Sequence, residues 1–202
     1  MTEVHHSKDD SSNPPGAVAE VLRLFRQRGD SEYGGEAVTQ REHALQAALL
    51  AETQGADSEL IAAALLHDVG HLLHRLPDDA PEQGKDDRHE TLAARWLARR
   101  FGPAVVEPVR LHVAAKRFLC AVEPEYYNRL SEPSVVSLHL QGGPMSPEEV
   151  RAFREHPHSR AAIALRRWDD EAKRPNLPTP AVEDFAPHLE IASRACEEGG
   201  SS

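Results

Sequence analysis

Ile61-Ala62-Ala63-Ala64-Leu65-Leu66-His67-Asp68-Val69-Gly70-His71-Leu72-Leu73-His74 is the stretch that decides the fold. Its first half is apolar on nearly every side, the mark of a helix buried at the centre of a bundle. The run extends back to Ser58, so one helix is expected over residues 58 to 74. His67-Asp68 stands inside it. A carboxylate buried without a partner costs on the order of several kcal/mol, and a coordinated cation removes that cost. The plain alternative is a core histidine bonded to a backbone carbonyl, with the aspartate capping something nearby. That reading suffices for an isolated pair, so the case rests on what else the chain supplies.

Working outward, the period stays helical. Val18, Val21, Leu22 and Phe25 form a first stripe that Gly29 ends, and a glycine-containing loop covers residues 30 to 38. Thr39-Gln40-Arg41-Glu42 is a capping box that opens a second helix, closed by Gly55. Residues 75 to 87 are rich in Pro, Asp and Gly and read as an exposed loop. Further helices are expected over 89–101, 104–120, 124–130, 134–140, 147–155, 158–173 and 180–196. No alternating strand pattern, repeat or second domain is found. The expectation is one all-α domain over residues 16 to 196, between a disordered tail (1–15) and a frayed end (197–202).

Composition narrows the function. The chain has 202 residues and a formal net charge of −10. It lacks the basic face that general nucleic-acid binding needs. Cys120 and Cys196 are the only cysteines and have no metal-binding spacing. No apolar run approaches the ~20 residues of a membrane span, and the first residues lack the apolar core of a signal peptide. A cytoplasmic location is the simplest expectation, with a small molecule as partner, and the oligomeric state is left open.

The additional donors fall on helices. His43 lies among Ala44, Leu45, Ala47 and Ala48; alone it reads equally well as a satisfied core histidine. His89 opens a helix, where a surface role is a serious rival. His112 sits between Leu111 and Val113, with Lys116 one turn further on. At ~100° per residue, Asp169 falls near the buried stripe of Ala162, Leu165, Trp168 and Ala172, while Asp170 falls nearly opposite. Asp169 is therefore chosen, and Asp170 is read as a solvated partner of Arg166, Arg167 or Lys173. His71 turns back toward His67 and is placed beside the metals; His74 is given a structural or solvated role. Four imidazoles and two carboxylates suit Fe, Mn, Zn, Co or Ni better than Mg or Ca. One ion would take His43, His67 and Asp169 and the other His89 and His112, with Asp68 bridging.

The order His43, His67-Asp68, Asp169 resembles the HD superfamily, mostly metal-dependent phosphohydrolases on an all-α bundle. His89 and His112 resemble its two-metal branch. More narrowly, several segments resemble the phosphonate-degrading HD oxygenases of the PhnZ/TmpB type, related in site chemistry to myo-inositol oxygenase. They are Tyr33-Gly34-Gly35-Glu36, the LLHDVGH run, His89-Glu90, His112 with Lys116, Leu130-Ser131 through the segment from Ser137 to Met145, and the segment from Leu165 to Lys173. The resemblance covers roughly residues 16 to 196. It implies two iron ions in a mixed-valence pair, with O2 as co-substrate. It also implies a phosphonate held by Lys116, Ser134, Gln141 and Arg166, and a lid in which Tyr33 covers the open metal position while Glu36 senses substrate. Tyr33, Glu36, His71 and Lys116 form the expected catalytic set. Without the resemblance, Ser134 reads equally as a helix cap and Lys116 as a surface cation.

The expected reaction is oxidative cleavage of a carbon–phosphorus bond in a 1-hydroxyalkylphosphonate. Glycine would form from the 2-amino-1-hydroxyethyl compound, or glycine betaine from its trimethylammonium analogue. A trimethylammonium group would want an aromatic cage, for which Tyr126, Tyr127, Trp96 and Phe118 are the candidates. Two rival readings use the same residues. A metal-dependent phosphohydrolase would attack a phosphomonoester or nucleotide with metal-activated hydroxide. A non-catalytic HD module would bind a nucleotide or partner.

Overall fold

The computed structural model describes residues 16–73 and 89–199. The tail over 1–15, the loop over 75–87, His74 and residues 200–202 lie outside them. Ten α-helices account for the described residues. They are α1 (Ala17–Arg28), α2 (Gln40–Thr53), α3 (Ser58–Leu66), α4 (Val69–Leu73), α5 (His89–Leu97), α6 (Pro103–Val122), α7 (Glu132–Leu140), α8 (Pro147–Glu155), α9 (Ser159–Glu171) and α10 (Ala186–Gly199). Short 3-10 turns cover Tyr127–Arg129 and Val182–Phe185. The only extended pairing among the described residues is an isolated bridge between Glu32 and Thr39.

Local chemistry sets the ends. Thr39 accepts from the Glu42 amide at 3.1 Å and its own amide donates to the Glu42 carboxylate at 2.8 Å, completing the capping box of α2. Gly55, at φ 75°, takes the left-handed conformation that stops it. Asp57 caps α3 through the Leu60 amide at 2.9 Å. Ile61 to Leu66 are all buried in α3, as an all-round apolar helix requires. The 20-residue α6, about 30 Å long, is the spine; it packs on α9, α5 and α3, while α2 packs on α3 and α9. A second, smaller core under α8 gathers Phe118, Leu119, Tyr126 and Phe153.

Three expectations change. The helix expected over 58–74 is interrupted: His67 and Asp68 form a turn between α3 and α4, and α4 packs on α5. Apolar residues flank the break on both sides, so periodicity does not reveal it. A continuous helix would splay adjacent side chains by ~100°; the turn lets His67 and Asp68 serve one site. The helix expected over 124–130 shrinks to a single 3-10 turn, Tyr127–Arg129. Ser134 is not a cap, because α7 begins at Glu132 behind Ser131, with Pro133 in its first turn.

The contact of α4 with α5 is close. A Cβ on Gly70 would lie 2.1 Å from the His89 carbonyl oxygen. Gly70→Ala therefore pushes His89 and its helix away, and should cost about 1–3 kcal/mol as an overpacked core site. Chemical denaturation measures this; an unchanged midpoint would mean that the two helices have room to spare.

Candidate metal centre

Five segments converge on one buried cluster: His43 from α2, His67 and Asp68 from the α3–α4 turn, His89 from the start of α5, His112 from α6 and Asp169 from α9. Asp68 lies between two pairs of histidines. Its Oδ2 is 3.4 Å from His67 Nε2 and 3.6 Å from His43 Nε2. Its Oδ1 is 3.3 Å from His89 Nε2 and 3.5 Å from His112 Nε2. Asp169 Oδ1 adds to the first pair, 3.4 Å from His43 Nε2 and 3.9 Å from His67 Nε2.

Three backbone carbonyls fix the ring tautomers. His43 Nδ1 lies 2.8 Å from the Ala172 oxygen, His67 Nδ1 2.8 Å from Ala64 and His112 Nδ1 2.7 Å from Val109. A carbonyl only accepts, so each Nδ1 carries the proton and each Nε2 of a neutral ring presents a lone pair. These lone pairs then face one another. This holds for His43 and His67, whose Nε2 atoms are 3.0 Å apart; on the other side His89 Nε2 comes within 3.2 Å of the His112 Nε2 lone pair. Asp68 Oδ1 is buried with no hydrogen-bond partner. Acceptors crowded together this way need a cation among them. Two imidazole nitrogens ~2.1 Å from one ion and at right angles about it lie about 3 Å apart. The donor set fits a pair of metal ions on either side of Asp68.

The electrostatics agree. Burial works against charging His67, but Asp68 and Asp169 outweigh it and push its pKa up to about 9. Burial, with His89 and His67 nearby, holds His112 down to about 3. Burial opposes ionisation of Asp68, yet His67 and His89 hold its carboxyl well below the usual range. The two buried histidines are driven in opposite directions around carboxylates held ionised, an arrangement that favours positive charge at the cluster.

The remaining candidate residues form a polar shell. His71 stacks on the His89 ring at 4.2 Å, and Asp68, His71 and His89 offer a second closely spaced donor group. Tyr33 lies flat on His43, with ring centres 3.8 Å apart, and its hydroxyl is 3.4 Å from Asp169 Oδ1. Burial and the charges of Asp169 and Asp68 raise the Tyr33 pKa well above its ordinary value, so the phenol is held protonated. Lys116, on the same face of α6 as His112, is buried and donates to Ser137 Oγ at 2.6 Å. Arg166 donates to Asp169 Oδ2 at 2.7 Å, to Tyr126 Oη at 3.1 Å and to Asp170. Gln141 holds a buried Oε1 with no partner.

Two readings of residues are corrected here. Asp170 does pair with Arg166, one of the partners expected for it, but it is largely covered rather than solvated and also accepts from the Tyr126 hydroxyl. The four aromatics named for a cage do not form one: Phe118 and Tyr126 share the smaller core, but Trp96 packs against the main one and Tyr127 is exposed. Trp96 packs under Arg100, Phe118 against Phe153, and Tyr126 is tied to Asp170. Helical angle alone placed Asp170 outward because it cannot show that the 3-10 turn brings Tyr126 over it.

Sequence reasoning missed Lys173 and Ser131. Lys173 Nζ donates to Glu36 Oε1 at 2.7 Å, Ser131 Oγ at 2.9 Å and Ser134 Oγ at 3.0 Å. Ser131 Oγ also donates to Glu36 at 2.5 Å. Both lie in segments singled out for the family resemblance, but no role at the site is read for either.

The sequence signature of the HD domain family matches residues 41–170, and the chain belongs to that family. Two relatives align over nearly the whole length. One is the glycine-betaine-forming 1-hydroxy-2-(trimethylamino)ethyl phosphonate dioxygenase of Leisingera caerulea, 45% identical over 91% of this chain and 95% of the relative. The other is hydroxymethylphosphonate dioxygenase of Gimesia maris, 46% identical over 91% of this chain and 90% of the relative. Among the described residues, no helix is long and apolar enough to cross a membrane.

Proposed function

We propose that this protein is an iron-dependent dioxygenase that cleaves the carbon–phosphorus bond of a 1-hydroxyalkylphosphonate, giving phosphate and a carboxylic acid. The observation that carries this reading is identity of 45% and 46%, over 91% of the chain, to two phosphonate dioxygenases. The two-sided Asp68 supports it. His43, His67 and Asp169 would hold one iron, His89 and His112 the other, and Asp68 both. When bound, a mixed-valence iron pair supplies the redox chemistry that uses O2. The net change balances with O2 alone: one oxygen atom goes to the hydroxyl-bearing carbon and one to phosphorus as the bond between them breaks.

The protein's own residues bind, orient and exclude water. Lys116 and Arg166 bring positive charge to the phosphonate, a compact anion with acceptor oxygens. Ser134 and Gln141 add polar contacts through the hydroxyl and the amide N–H groups. His71, against His89, borders the reacting centre. Tyr33 shields the His43–Asp169 side from water until substrate displaces it, on a loop turned by Gly34 and Gly35, both at positive φ.

The test is phosphate release by iron-loaded protein from hydroxymethylphosphonate and from the trimethylammonium substrate, with and without O2. Oxygen-dependent phosphate is the expected result. Oxygen-independent phosphate from phosphomonoesters alone would overturn the reading in favour of a hydrolase.

A pH effect follows from Lys116. Burial, with Arg166 beside it, pushes its pKa down to about 7. The ammonium is therefore present below that pH and lost above it. Apparent phosphonate affinity should weaken as pH rises through about 7, and Lys116→Arg should remove that limb. Equal pH profiles for the two proteins would exclude Lys116 as the titrating contact.

A further inference from the structure

Resting on the dioxygenase reading, we infer that Arg117 is the residue that positions Gln141 at the phosphonate site: it staples the end of α7 to α6, the helix that carries Lys116 and His112.

Gln141 is the C-cap residue of α7. It follows Ser137 by four residues and Ser134 by seven, so the three share one face of the helix. That face meets α6, where Lys116 Nζ donates to Ser137 Oγ at 2.6 Å. Gln141 Oε1 is buried with no hydrogen-bond partner, so that oxygen does nothing to fix the amide. Its placement falls to the backbone. Yet the chain leaves α7 through Gly142 and Gly143, at φ 98° and 72°, the residue type with the widest conformational freedom. Among the described residues, α7 packs extensively on no other helix.

Arg117 supplies the restraint. Its Nε donates to the Gly143 carbonyl at 2.8 Å, and its Nη2 donates to Glu149 Oε1, in the first turn of α8, at 2.8 Å. Its own carbonyl accepts from the Met145 amide at 3.2 Å. The guanidinium lies along Gly142, where an added Cβ would come 3.6 Å from Nη2. Glu149 is fixed in turn, because its other oxygen accepts from the Ser146 amide at 2.8 Å in the capping box of α8. The planar fork serves two acceptors in different directions at once, which a point cation cannot do.

Consecutive residues of α6 thus hold α7 at two points. At ~100° per residue they leave the helix in different directions. Lys116, buried, reaches the inner face of α7, and Arg117, half-buried, reaches around its end. His112 lies one turn before Lys116 on the same helix. One rigid element therefore sets the spacing between a metal ligand, the cation for the phosphonate and, through Arg117, the Gln141 amide. Arg117 is a positioning residue that acts on phosphonate binding through Gln141.

The experiment uses the iron-loaded full chain as parent, Arg117→Ala, Gln141→Ala and the double variant. Calorimetry without O2 measures binding of hydroxymethylphosphonate and of 1-hydroxy-2-(trimethylamino)ethylphosphonate; kcat and KM are measured with O2. Arg117→Ala should weaken binding of both compounds about tenfold, the scale of one hydrogen bond to a charged group. It should raise KM more than it lowers kcat and keep the parent's iron content. In the Gln141→Ala background the same substitution should change binding by less than about twofold, because both act through one contact. If Arg117→Ala does not fold, Arg117→Lys, which keeps the charge without the two-acceptor reach, takes its place in the cycle. Binding unmoved by either single substitution, or effects that multiply in the double variant, overturns the inference, while oxygen-dependent phosphate release by the parent leaves the dioxygenase reading standing. Failure of the parent to release phosphate from either compound with O2 overturns that reading and this inference with it.

Discussion

Asp68→Asn is expected to lower the metal content of the purified protein from two ions per chain to one or fewer, and to cut turnover by about a thousandfold or more, equivalent to ~4 kcal/mol of lost transition-state stabilisation. The amide keeps the shape of the carboxylate, so folding is not the readout. What changes is one side of a group with an oxygen toward each histidine pair. Oδ2 lies 3.4 Å from His67 Nε2 and Oδ1 3.3 Å from His89 Nε2. The amide nitrogen carries protons and no available lone pair, so one histidine pair would lose the ligand that Asp68 would share, along with the negative charge that would offset two cations. His112→Ala is the informative contrast. It removes a ligand from one side only, and the group of His43, His67, Asp68 and Asp169 remains complete. Elemental analysis should then find about one ion retained. Two ions and full turnover in Asp68→Asn would exclude the bridging role.

Arg166→Ala carries the largest expected loss of stability, about 3–5 kcal/mol, the range for stripping one partner from a buried ion pair. Arg166 is 4% exposed and reaches Asp169, Asp170 and the Tyr126 hydroxyl with its fork of donors. Its removal leaves two carboxylates without their cation, one of them completely buried. For a domain of this size the shift corresponds to on the order of 10 °C in the unfolding midpoint. Arg166→Lys should recover only part of it, because a single ammonium cannot reproduce three directed contacts. Thermal unfolding of the metal-free protein separates this effect from metal loss. A midpoint within a degree or two of the parent would mean that Asp169 and Asp170 find other partners.

Arg166 also places Asp169. One carboxylate oxygen is held by the guanidinium at 2.7 Å and the other faces His43 Nε2 at 3.4 Å. Arg166 acts on Asp169 much as the three backbone carbonyls act on the histidines: it leaves one defined acceptor aimed at the cluster. Such outer contacts orient metal ligands and raise their affinity. Arg166→Ala should therefore lower metal retention as well as stability.

The sequence by itself determined the class and most of the cluster. An all-round apolar helix interrupted by His67-Asp68 implies burial, and burial of a carboxylate implies a compensating charge. The capping box at Thr39, the Pro at the start of α8 and the helical angle of Asp169 are local properties, set within one or two turns of chain, and the structure has them where the sequence implies. What only the tertiary structure decided depends on segments distant in sequence. Beyond the turn at His67-Asp68, α4 packs on α5 with Gly70 against the His89 carbonyl, a contact no periodicity encodes. The fate of Asp170 follows from Tyr126, 44 residues away. The pairing of Lys173 with Glu36 spans 137 residues. A single-helix pattern records which side of its own axis a residue faces; which charge meets it there is fixed by how the helices close on one another.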